Sequence, residues 1–264
     1  MRNFDYRRRY RLLSAKHADA IRAAMFTEMV ALRRQLVLRL RRLRANKSRA
    51  VTKARLYKQS VISDSLWQSF LARLKSRLIP LLRAGAIDLV ELDRLYRERQ
   101  PVAGMDSDVI ADSLRSTVEG SAFLQEFEAN LEGSVENMRR TVSGAVLDWY
   151  HTPGATLADV TAQLEPIFGA YNAERIAVTE MTALNARIQR AEAEQIGATT
   201  WNFISMRDEV VCVHYVVGPD GAGYDGCRAL HGKTFDINDA LMPAATHKAC
   251  RCYPVFQPPA MERI

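Results

Sequence analysis

Between residues 17 and 45, Met25, Met29, Leu32, Leu36, Leu40 and Leu43 recur at steps of four, three, four, four and three. That spacing lays them along one face of an α-helix. Arg33, Arg34, Arg41, Arg42 and Arg44 fall largely off the stripe, so the pattern predicts a helix with one apolar side and one cationic side. Leu66, Phe70, Leu74 and Leu78 predict a second amphipathic helix from Ser65 to about Arg83, which Pro80 is expected to kink or shorten by removing a backbone donor. Two short helices should follow, DLVELDRLYRERQ and SDVIADSLRS, separated by the breaker QPVAGM at residues 100–105. Phe123, Phe127, Leu131, Val135, Met138, Val142 and Leu147 then mark a long helix from about Ala122 to Tyr150. Thr156 is placed as the N-cap of LADVTAQLEPIF. A last long helix, from about Asn172 to Ile196, should end at Gly197 in a left-handed C-cap.

After Gly197 the pattern changes. TTWNFISM and VVCVHYVV are aromatic and β-branched, GPDGAG is a turn, and QPPA continues no regular element. The expected fold class is mainly α, an elongated helical body with a small C-terminal α+β cap that carries a Cys/His cluster. The expected division is a basic N-terminal helical region over residues 1–120 and a second domain over 121–264, with the β-containing cap from about residue 198.

The charge distribution changes the picture of the first half. Residues 1–60 hold 18 Lys plus Arg against Asp5, Asp19 and Glu28, about +15 of a total of +7, which leaves about −8 for the rest. A block of that sign attracts a polyanion or an acidic protein surface without a specific motif, and it is equally the solvated face of an arginine-rich helix. With 48% hydrophobic residues in 264 the chain has the material for a sizeable core. No stretch has the roughly 18 uncharged apolar residues of a membrane span, and MRNFDYRRRYRLL lacks the apolar run of a signal peptide, so a reducing cytoplasm is expected.

The candidate chemistry lies near the C-terminus. All four cysteines, Cys212, Cys227, Cys250 and Cys252, fall in the last fifth of the chain, together with His214, His231 and His247. A structural zinc site needs about four Cys or His ligands, and His247 with Cys250 would let one loop supply two of them. Cys212 and Cys227 are too far apart for a tight knuckle, so free buried thiols and disulfides from the last loop to Cys212 or Cys227 stay open as alternatives. His17 and His151 read as solvated residues, His214 as a strand residue on the face of Cys212, and His231 as a ligand or a hydrogen-bond partner across its turn. HGKT at residues 231–234 fails as a phosphate loop, because Gly226 stands one residue too far upstream and no strand-to-helix frame surrounds it. H-E-x-x-H, the zinc-deaminase pattern and G-x-S-x-G are absent, and a Cys250–His247 or Cys250–His231 nucleophile pair has no supporting acid at a telling spacing. The chain is therefore expected not to be an enzyme.

Taken together, NAERIAVTEMTALNARIQRAEAEQIGATTW, MRDEVVC, CRALHGKTF and HKACRC resemble the phage head morphogenesis family, the minor head proteins similar to phage Mu protein F. That family shows a T-E helix, a Trp followed by spaced Asp and Cys, an L-x-G turn and a closing H-P-N-C-R-C. The matching residues are Thr179, Glu180, Trp201, Asp208, Cys212, Cys227, Leu230, Gly232, His247, Cys250, Arg251 and Cys252, within about residues 140–255. Val178 stands where the family has arginine, VHYVVGPDGAGYDG lies between Cys212 and Cys227, and Lys248 and Ala249 replace Pro-Asn. The resemblance implies a component of the virion head, assembled in the host cytoplasm. Its partners would be the portal protein, other head proteins and packaged DNA, and Arg33, Arg34, Arg41, Arg42 and Arg44 are the expected polyanion or partner contacts. No membrane partner and no small-molecule substrate are expected.

In this reading a structural zinc ion or sulfur chemistry at the Cys/His cluster holds the cap rigid, Trp201 and Phe203 pack under it, and Glu180 caps a helix or pairs with arginine. Two rivals use the same residues. One is a metal-dependent nuclease or toxin-like hydrolase with Glu180 or Asp208 assisting the metal, and the other is a stand-alone DNA-binding protein.

Overall fold

In the computed structural model the residues described are 6–46, 63–99, 106–119, 122–205, 216–218, 220–238, 250 and 252–257. They form the helices α1 (Tyr6–Asn46), α2 (Asp64–Arg97), α3 (Ser107–Glu119), α4 (Ala122–His151), α5 (Leu157–Phe168), α6 (Ala170–Gln195) and the single turn α7 (Cys227–Leu230). The strands are β1 (Thr200–Ile204), β2 (Val216–Val217), β3 (Gly223–Tyr224), β4 (Thr234–Asp236) and β5 (Tyr253–Gln257). The protein is mainly helical, with a small C-terminal sheet region that carries a cysteine cluster.

The chain divides into two compact units, each made of separate stretches. The first comprises Met1–Ala20, Leu81–Leu124 and Arg175–Ile264, and the second comprises Ile21–Pro80 and Gln125–Glu174. In the second unit Met25, Met29, Leu32, Leu36 and Leu40 of α1 are all buried, as their spacing predicts, while Leu43 is half-buried. Leu66, Phe70, Leu74 and Leu78 of α2, the run from Phe127 to Val142 of α4, and Val160, Leu164 and Phe168 of α5 complete its apolar interior. Toward the end of α4 the buried positions are Val146 and Trp149, not Leu147. Ion pairs tie the helices of this unit: Glu28 lies buried between Arg73 at 2.8 Å and Arg77 at 3.0 Å, and Lys75 reaches Glu128 and Glu132.

Helix α2 differs from expectation. Pro80 lies inside it without shortening it, and most of DLVELDRLYRERQ is its C-terminal half and not a separate helix. The missing backbone donor is a local cost, and the burial of Leu74, Leu78, Leu82 and Ala86 on either side of Pro80 outweighs it. The breaker at 100–105 lies outside the described residues, as does most of VVCVHYVV.

Both expected caps are present. Thr156 accepts from the Asp159 backbone N–H, and the Asp159 carboxylate accepts from the Thr156 N–H at 2.6 Å, a reciprocal capping box at the start of α5. After α6, Gly197 has φ +65°, its N–H donates to the Glu194 carbonyl, and the Ala198 N–H donates to the Ala193 carbonyl at 2.9 Å. That pair of bonds closes the orphan carbonyls of the helix and turns the chain directly into β1.

In the first unit β1 is the central strand of an antiparallel sheet of order β4-β1-β5, in which Trp201 stands opposite both Phe235 and Phe256. Strands β2 and β3 form a separate two-stranded ribbon. Alternation along β1 buries Trp201 and Phe203 on one face. Against them pack Val216, Cys227, Leu230, Phe235, Cys250 and Cys252, with Tyr224 and Phe256 partly buried beside them.

Candidate metal centre in the C-terminal cap

Cys227 opens α7 just after Gly226, whose φ of +79° is a left-handed turn that L side chains rarely adopt. Cys250 and Cys252 are two apart, and Cys252 immediately precedes β5. All three are buried and outside any disulfide, and their Sγ atoms lie within 4.8 Å of one another. Sulfurs around a tetrahedral zinc ion are about 3.8 Å apart when each Zn–S bond is about 2.3 Å, so modest side-chain rotation would close this group on an ion. The three cysteines are thus a group able to hold a metal ion.

Hydrogen bonding to Cys227 and Cys250, and burial after it, push the Cys252 thiol far above its ordinary range. Three sulfurs this close cannot all ionise in an apolar pocket without a cation. A divalent cation reverses that balance, because it stabilises thiolates and displaces their protons.

The cap is tied to α6 through its backbone: the Thr182 hydroxyl donates to the Cys250 carbonyl. Trp201, fully buried, donates from Nε1 to the Asp236 carbonyl at 3.0 Å. The L-x-G turn is structural. Leu230 is buried, Gly232 has φ +79°, and its N–H donates to the Phe203 carbonyl at 2.7 Å, which fastens the turn to β1. HGKT leads into β4, not into a helix, so no phosphate loop forms there.

His231 accepts from the Ser205 backbone N–H through Nδ1 at 3.1 Å. That bond places the ring proton on Nε2, and the residue serves the turn, the second of the two roles its sequence allowed. Thr179 donates to the Arg175 carbonyl within α6. Glu180 lies in the interior of α6, so it caps nothing, and no arginine pairs with it among the described residues. Burial alone raises its carboxyl to about 7. Cys212, Asp208, His214, His247 and Arg251 lie outside the described residues.

Of the cationic candidates on α1, Arg33 is half-buried and paired with Glu165, whereas Arg34, Arg41 and Arg42 are exposed. The side chain of Arg44 lies outside the described residues. His151 is exposed, as expected. His17 is not solvated: it is 6% exposed, and its Nε2 lies 2.8 Å from Asp88 Oδ2. A helix face that packs its apolar neighbours can take a polar ring inward when a carboxylate meets it.

One feature of α6 was missed in the sequence. Thr182, Asn185, Gln189 and Glu192 are all buried, at steps of three, four and three, so the inward face of this helix carries a polar seam. Gln189 Nε2 donates to the Tyr6 hydroxyl at 2.7 Å, Tyr6 donates to Asp93, and Glu192 pairs with Arg97. The periodicity that marks apolar stripes would have found it, had it been sought among polar residues. No family model, no curated protein and no solved structure matches the chain.

Proposed function

We propose that the chain is a minor head protein of tailed-phage head morphogenesis, a non-catalytic component of the virion head that assembles in the host cytoplasm at the portal vertex. A structural zinc ion on Cys227, Cys250 and Cys252 holds its C-terminal cap, with Cys212 or His247 as the fourth ligand. The observation that supports this reading is that the separated cysteines of the family-like signature, Cys227 and the closing Cys250 and Cys252, come together as one buried group. A sheet of three short strands buries little apolar area, and a metal supplies the missing stability. Four protein ligands leave no open coordination position, which suits a structural role and not hydrolysis. The portal protein and other head proteins are its partners, and exposed Arg34, Arg41 and Arg42 suit contact with packaged DNA.

The test is elemental analysis of the purified protein with thiol counting, alongside head assembly by a Cys250→Ser variant. The expected result is one zinc per chain in the parent, loss of zinc in the variant, and few or defective heads. Normal heads from a variant that melts with the parent would sink the staple role. Zinc accompanied by turnover of DNA, RNA or NAD would select the enzyme instead.

A further inference from the structure

The cysteine group does not stand apart from the N-terminal helix. Tyr10 of α1, 2% exposed, places its ring 4.9 Å from that of Tyr253, the residue after Cys252. Burial pushes the Tyr10 hydroxyl up, and the proximity of Tyr253, Cys250 and Cys252 adds to the shift. The Tyr10 ring therefore meets the residue that directly follows the cysteine group. A second route runs along the polar seam: Thr182 holds the Cys250 carbonyl, and two turns further along the same face of α6 Gln189 holds the Tyr6 hydroxyl. Tyr6 stacks parallel on Tyr10 at 6.4 Å and meets Tyr96 at 5.0 Å. At the other end of these turns, Lys16 and His17 both bind Asp88.

These contacts hold the start of α1 by aromatic faces and polar groups, and the polar part is incompletely matched. Asp93 Oδ2, Gln189 Oε1 and both polar atoms of Asn185 are buried with no hydrogen-bond partner among the described residues. Each such atom lowers the net gain from docking, so the docking equilibrium is one that a modest free energy can move. A metal that joined Cys227, Cys250 and Cys252 would fix the start of β5 and with it the ring of Tyr253. The surface that Tyr10 meets would then be preorganised, and its ordering cost would already be met.

We propose that metal occupancy of the Cys227, Cys250 and Cys252 group and docking of the first three turns of α1, Tyr6 to His17, are one linked equilibrium with Tyr10 as the residue that joins them. The proposal rests on the zinc reading above. Zinc clamps the start of α1, and loss of zinc releases it. Linkage is reciprocal, so the factor by which zinc favours docking is the factor by which docking favours zinc.

The test is hydrogen exchange by mass spectrometry on the full chain, with equimolar zinc and with a chelator, using the α5 amides as an internal reference. The amides of residues 9–17 should exchange about tenfold more slowly with zinc, within the range usual for coupled sites. Zinc affinity, measured by competition with a chromogenic chelator, should fall by the same factor in Tyr10→Ala and stay at the parent value in Tyr10→Phe. If zinc binds the parent while exchange at residues 9–17 stays unchanged, the linkage is wrong and the zinc reading stands. If no zinc binds the parent, the zinc reading fails and the linkage fails with it. Should Tyr10→Ala not fold, the exchange measurement on the parent decides alone.

Discussion

Glu180 is an acid whose carboxyl burial raises to about 7, with no cation paired to it among the described residues. Its folded value of about 7 lies above the usual glutamate range, so the folded state binds the proton more tightly than the unfolded chain does. Its effect is nil below about pH 4.5, grows as pH rises from there, and is fully destabilising above about 7. Glu180→Gln should therefore stabilise the protein by roughly 3 kcal/mol at pH 8 and by little at pH 4. Urea titrations of parent and variant at both pH values measure the difference, and equal gains at the two would remove the titration as its cause. Trp201 lies at the other extreme, an apolar residue that its pattern places correctly. Trp201→Ala should cost about 3–5 kcal/mol, read from the cap's near-ultraviolet signal in a denaturant series. At this scale the sequence showed which residues carry chemistry but not their company. His17 reads as a solvated histidine because its partner Asp88 is 71 positions away.

Elements were legible wherever one local rule decided them. The stripe of α2 is buried as spaced, those of α1 and α4 are so except at Leu43 and Leu147, and the caps at Thr156 and Gly197 have the expected hydrogen bonds. Gly197→Ala should cost about 1 kcal/mol, because an L side chain is strained at φ +65° even though the space around it is open. A melting temperature unchanged by that substitution would show that the left-handed cap is not what ends α6. Pro80 does not shorten α2, because its penalty is local whereas its compensation is tertiary. Pro80→Ala should raise stability, by up to about 3 kcal/mol, since an ordinary helical hydrogen bond becomes available where the proline lacks a donor. Calorimetry that showed a loss would mean that the ring's own packing matters more than the missing bond. The polar seam of α6 was legible in its spacing but not in its direction: its residues are ordinary surface types, and it is the partners of Thr182, Gln189 and Glu192 that mark the face as inward.

For the molecule as a whole, the balance of helix and sheet was readable, because the change of periodicity after Gly197 is abrupt. The grouping of stretches into compact units was not. Each unit collects segments separated by many tens of residues, and periodicity along a chain carries no signal for which distant segments associate. The charge asymmetry does belong to this scale. If Arg34, Arg41 and Arg42 meet phosphate, replacing all three by Ala should weaken duplex binding uniformly across sequences. The slope of log affinity against log salt should then fall by about three. Fluorescence anisotropy over a salt series measures it, and an unchanged slope would move DNA contact away from α1.

The contact between Tyr10 and Tyr253 also has a temporal side. The two rings sit near opposite ends of the sequence. At about 5–20 residues per second of synthesis, on the order of ten to fifty seconds separate the emergence of one from that of the other. During that interval the first turns of α1 exist without the strand that covers Tyr10, while Ile21–Pro80 and Gln125–Glu174 are already available to associate. The arrival of β5 is thus what decides when the Tyr10 ring stops being open to other molecules.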